Sequence, residues 1–160
     1  MDTRSHRTLV TTPGDCSIVI TRVFDASRAL VFEAHTGPDH VRTWLLGPPG
    51  WSMPVCEIDL RVGGAWRYLY ANADGRDMDM HGVYLEIDRP ERVVTTECWG
   101  GGWPETVNTL VLHEAEGRTT MTSTMLFPTP KARDAAMNTG MSDSLDLTYD
   151  RLADHLDGLA

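Results

Sequence analysis

Residues 65–88 read AWRYLYANADGRDMDMHGVYLEID. Trp66, Tyr68 and Tyr70 fall on alternate positions, with Arg67, Leu69 and Ala71 between them, which is the period of two of an extended strand. Asn72-Ala73-Asp74-Gly75 then supplies turn chemistry, and a second alternating run begins near residue 78. A turn this short joins antiparallel neighbours. The same rhythm extends in both directions. Strand-like runs are predicted at 52–60, 65–73, 78–88, 92–100, 105–114 and 118–127, separated by Val62-Gly63-Gly64, Asp88-Arg89-Pro90-Glu91, Gly100-Gly101-Gly102 and Glu114-Ala115-Glu116-Gly117. Six strands in this order make a meander.

The flanks follow another period. Ile18, Ile20 and Val23 open a strand that runs to Phe24, and Ser27 can cap a short helix carrying Leu30, Val31 and Ala34 on one face. Pro38 suits the first turn of a second short helix bearing Val41, Trp44 and Leu45, closed by Gly47-Pro48-Pro49-Gly50. After the meander, Thr129 and Pro130 start a long helix. Its apolar series is Ala136/Met137, Met141, Leu145, Tyr149, Leu152 and Leu156, with Gly140 as a possible kink. Residues 1–14 read as a loosely held arm, and 15–158 as one domain. The fold class that satisfies every segment is α+β: a curved antiparallel sheet wrapped around a long C-terminal helix, with two short helices after the first strand.

Composition narrows the function. The chain has 160 residues with 14 Lys and Arg against 23 Asp and Glu, a net charge of −9. That balance argues against a nucleic-acid partner, which needs a basic surface. No apolar run approaches the ~20 residues of a membrane span, so no membrane insertion is expected. The polar N-terminus lacks a signal-peptide core, and a cytoplasmic location is expected. Cys16, Cys56 and Cys98 are odd in number and widely spaced, which suits reduced thiols better than disulfides.

Several blocks resemble a known family. They are Ile20-Thr21-Arg22-Val23-Phe24-Asp25-Ala26-Ser27 with Val31-Phe32; Pro38-Asp39-His40-Val41 with Trp44 and Gly47-Pro48; and Asp59 to Arg67. His81 to Ile87 with Pro90 to Val94, and Ala132 to Ala136 with Gly140-Met141, complete the match, in order, over roughly residues 17–156. The family is the one named after the activator of the 90-kDa heat-shock protein ATPase, within the START-like (SRPBCC) superfamily. The resemblance implies the helix-grip fold. It also implies a cavity between sheet and C-terminal helix that binds a small, largely apolar or amphipathic molecule. The chain departs from the usual pattern at Ser27, Gly37, Leu45-Leu46 and Ser144-Leu145.

The expected cavity residues are Trp44, Trp66, Tyr68, Tyr70, Trp99, Met121, Ser123, Met125, Met137, Met141 and Leu145, since aromatic and Met walls with few polar groups suit small-molecule pockets. The same stripes suit a filled core equally well. No catalytic motif is committed, so ligand binding without chemistry is the leading reading. The alternative is a cyclase, dehydratase or hydrolase of the superfamily type using Glu86, Glu97 or His81 as acid or base. Regulation of a chaperone ATPase ranks last, because only the one family-like domain is present. Asp77, Asp79 and His81 alternate on one strand but lack a second arm of ligands, so no metal is expected, nor any other cofactor. Trp99, Gly100–Gly102 and Trp103 form an apolar tip suited to a homodimer contact or a gate.

Overall fold

The computed structural model describes residues 6–46 and 49–159. Met1–Ser5 of the predicted arm, and Gly47-Pro48 of the second helix's stop and of the family match, lie outside the described residues. The elements in chain order are β1 (Leu9–Thr11), β2 (Ser17–Phe24), α1 (Arg28–Thr36), α2 (Pro38–Trp44), β3 (Trp51–Ile58), β4 (Ala65–Asn72), β5 (Asp77–Asp88), β6 (Arg92–Glu97), β7 (Thr106–Ala115), β8 (Arg118–Leu126), α3 (Pro130–Met137) and α4 (Met141–Leu159). The strands form one antiparallel sheet in the order β1-β2-β8-β7-β6-β5-β4-β3. The six-strand meander therefore closes against β2, and the three cysteines are free thiols.

Alternation along β2 puts Ile18, Ile20, Arg22 and Phe24 on the buried face, where the three apolar residues share a common core with Tyr149, Leu152, Ala153 and Leu156 of α4. α1 is capped as expected by the Ser27 side chain, which accepts from the Leu30 N–H. α2 has Pro38 in its first turn and packs between α1 and α4.

Two features differ from the expectation. The predicted single long helix is two helices, because Asn138–Gly140 break it: Gly140 has φ +77°, a left-handed conformation that a helix cannot continue through. The predicted arm also contains structure. β1 pairs with β2, the Thr8 N–H donates to Asp146 of α4 at 3.1 Å, and Arg22 donates to the Thr8 hydroxyl at 3.1 Å.

Arg22 is the anchor of that arrangement. Its side chain is 1% exposed, and its second terminal nitrogen meets Asp150 of α4 at 2.8 Å, where the carboxylate keeps a 41% exposed edge. Removing the partner strands a buried guanidinium. Asp150→Ala is therefore expected to cost about 2 kcal/mol in urea unfolding, and Arg22→Met in the same chain to restore most of it. A double variant no more stable than Asp150→Ala contradicts this account.

Candidate functional site

Between the concave sheet face and the helices lies a cavity of about 160 Å³. β4 contributes Trp66 and Tyr68, β5 Tyr84, and β6 Val93, Thr95 and Glu97. β7 contributes Asn108 and Leu110, β8 Ser123, the end of α1 His35 and Thr36, and α4 Tyr149. The lining carries aromatic rings and polar groups side by side.

A single bulge decides which of the sequence candidates enter. β5 and β6 pair Tyr84 with Thr95, then Glu86 with Val94, so the register slips by one at Leu85. In a regular strand Glu86 would share Tyr84's face. After the slip it points outward, exposed, and binds Arg92 at 3.3 Å. Ile87 pairs with Val93 instead. His81 is also exposed, opposite Arg67, which holds Asp79 through two nitrogens at 2.8–3.1 Å. Neither Glu86 nor His81 reaches the cavity. β6 has no slip, so Val93, Thr95 and Glu97 all face inward.

Glu97 is buried, 8% exposed. The Asn108 amide N–H donates to one carboxyl oxygen, and Asn108 is oriented by accepting from the Thr106 hydroxyl at 3.0 Å. Burial pushes the Glu97 pKa up, opposed by Asn108 and by the Trp99 indole N–H, which lies close without an aligned hydrogen bond. The folded state thus keeps a proton at pH values where the unfolded chain has lost it. Stability falls as pH rises from the ordinary carboxylate range upward. Glu97→Gln keeps the Asn108 bond and removes the charge, so it is expected to gain stability over the wild type between mildly acidic and mildly alkaline pH. Parallel unfolding curves for the two proteins across that range contradict it.

His35 is the second polar anchor. Its Nδ1 lies 2.8 Å from the Val31 carbonyl one turn back on α1, which fixes the proton there and leaves Nε2 as a bare acceptor. Nε2 is buried with no hydrogen-bond partner among the described residues. Burial lowers the ring pKa to about 4, so the imidazole is neutral near neutral pH. Trp44 holds it edge-on at 5.1 Å between ring centres, contacts Tyr149 at 5.9 Å, and donates its own N–H to the Ala34 carbonyl at 2.8 Å. Burial likewise raises the Tyr68, Tyr84 and Tyr149 pKa values, keeping the hydroxyls protonated.

Of the expected cavity residues, Trp66, Tyr68 and Ser123 line it. Trp44, Tyr70, Met121 and Met125 are buried core residues beside it, and Met137, Met141 and Leu145 pack against that core from the helices. Trp99 lines a separate open groove of about 680 Å³ with Trp51, Arg76, Asp77 and Trp103. Sequence reading missed His35, Thr36, Tyr84, Val93, Thr95, Asn108, Leu110 and Tyr149 as cavity residues. The one usable signal was alternation along β6, which places Thr95 with Glu97. His35 at a helix end carries no such mark.

A curved antiparallel sheet gripping a C-terminal helix, with a cavity between them, defines a START-like, helix-grip protein. Over residues 25–157 the chain matches the family described as activator of Hsp90 ATPase homolog 1-like protein, and it belongs to that family. Solved structures agree. A crystal structure of a Rhodobacter sphaeroides protein is 26% identical with a TM-score of 0.90, covering 95% of this chain and 99% of that one. A solution structure from Staphylococcus epidermidis is 25% identical, TM-score 0.80, covering 94% of each. A Nitrosomonas europaea protein at 21% identity and TM-score 0.81, covering 92% of this chain and 97% of that one, shares the fold. No curated protein matches the chain. Among the described residues, no helix is long and apolar enough to cross a membrane.

Proposed function

We propose that the protein binds a small molecule inside this cavity and that binding, without committed chemistry, is its activity. The observation that carries the reading is the buried His35 Nε2, without a hydrogen-bond partner among the described residues, beside a partly open cavity of about 160 Å³. An acceptor left without a donor is costly, and a guest that supplies the donor recovers that cost. The size supports a guest of about one ring, since an engineered apolar cavity of about 150 Å³ takes benzene. The lining is more polar than aromatic and Met stripes alone implied, so the guest is amphipathic rather than purely apolar.

Native mass spectrometry and thermal shift with single-ring compounds test this. A one-to-one adduct and a raised Tm are expected, both lost in Ser123→Leu, which fills the space. Compounds that leave Tm unmoved, or bind the filled variant equally, overturn the reading. A second reading rests on Glu97 alone. A buried carboxyl with a raised pKa suits a general acid, and substrate turnover abolished in Glu97→Gln with binding retained would establish it.

A further inference from the structure

The chemistry of the lining selects among single-ring guests. We propose that the cavity is built for a small organic amine in its ammonium form, held by Glu97, the His35 Nε2 and the surrounding aromatic faces. The inference rests on the cavity being a binding site, as proposed above, and adds the charge of its occupant.

Four observations converge on it. Glu97 is a buried carboxyl whose partners among the described residues are neutral: the Asn108 amide binds one oxygen, and the Trp99 N–H lies near. Among the described residues no Lys or Arg lines the cavity as a counter-ion. His35 Nε2 can only accept, because its other nitrogen is committed to Val31. Trp66, Tyr68, Tyr84 and Tyr149 bring four electron-rich rings to the same space. Each group favours a donor or a positive charge, and none of them is a fixed cation.

Rival guests satisfy less of this. A toluene-like hydrocarbon leaves the imidazole Nε2 unmatched and adds nothing to the carboxyl beyond its Asn108 bond. An alcohol donates one hydrogen bond and so serves one of the two acceptors. A carboxylate guest faces Glu97 and a lone pair with no cation to receive it. An ammonium donates to both acceptors, and its charge favours ionised Glu97, whose proton passes to solvent as the guest enters, while the aromatic rings add to the attraction. The net charge of −9 adds a long-range field that concentrates cations at the surface.

Benzylamine, benzyl alcohol and benzoate have nearly one shape and three charges, so calorimetric titration of the full chain near neutral pH separates the possibilities. Benzylamine is expected to bind at least about tenfold more tightly than benzyl alcohol, with benzoate silent. Glu97→Gln should weaken benzylamine by about tenfold while leaving benzyl alcohol within roughly threefold. The outer tryptophan groove also has two acidic residues, Asp77 and Asp79, so Trp103→Ala serves as the control and should leave benzylamine affinity unchanged. Benzyl alcohol binding as tightly as benzylamine overturns the ammonium inference and keeps the cavity reading. So does benzylamine affinity that survives Glu97→Gln or falls in Trp103→Ala. Failure of all three probes to bind overturns the cavity reading itself, and the inference with it. The benzylamine and benzyl alcohol comparison in the wild type needs no variant to fold.

Discussion

Gly82→Ala is expected to lower stability by about 3 kcal/mol or more, a fall in Tm of roughly 10 °C for a chain of this size. The reason is a backbone approach. A Cβ at position 82 would lie 1.9 Å from the Thr96 carbonyl oxygen and 2.8 Å from the Trp66 indole nitrogen. Trp66 pairs with Gly82 across β4 and β5 and donates its N–H to that same Thr96 carbonyl at 3.2 Å. The Val83 N–H in turn binds the Thr96 hydroxyl at 3.0 Å. The obstacle is backbone, which cannot swing aside as a flexible side chain would. Relief requires separating β5 from β6, and with it the strand that holds Glu97. Gly158→Ala is the matched control: nothing lies within 4 Å of its Cβ, and it sits in the last turn of α4. It should be neutral or slightly stabilising. Thermal unfolding of the two variants side by side decides the matter, and a Gly82→Ala Tm within about 2 °C of the wild type would mean that the strands can part there at little cost.

The second large effect is acid sensitivity through His35. Unfolded, its imidazole takes a proton at the ordinary value of 6.5; folded, it resists until about pH 4. Between those values the unfolded state binds more protons, so stability drops as pH falls through that window. The difference is worth roughly 3 kcal/mol once the window has been crossed. Glu97 works in the opposite sense and overlaps the window, so the wild-type profile alone blends the two. Urea unfolding of the wild type against His35→Gln isolates His35, because Glu97 is common to both. The wild type should lose about 3 kcal/mol relative to the variant between about pH 7 and pH 4. A difference that stays flat across that range would show that the ring is not held neutral by burial.

These two residues differ in how far they could be read without the fold. Gly82 interrupts a strand of large side chains, and a glycine in that setting already signals a close approach. What approaches it is a carbonyl twelve or more residues away, which no local pattern names. His35 offers less. As one of six scattered histidines it has no distinguishing spacing, and its fixed tautomer arises from a helix carbonyl on one side and burial on the other. Glu97 lines the cavity because β6 keeps strict alternation. Glu86 is an equal candidate by sequence, and the bulge at Leu85 turns it to solvent.

Periodicity by itself determined the architecture: the meander from the period of two and its turns, the two short helices from their starts, and the apolar face of the C-terminal segment. Those are local properties, set by side chains a few positions apart. Only the tertiary structure decided the site. One bulge chose which carboxyl faces inward, Asn138–Gly140 split the long helix, and Arg22 tied an apparent arm to α4. Whether an aromatic stripe fills a core or walls a cavity depends on the distance between packed elements. That distance is a sum over many side chains from separate strands and helices, and no single stretch of sequence carries it.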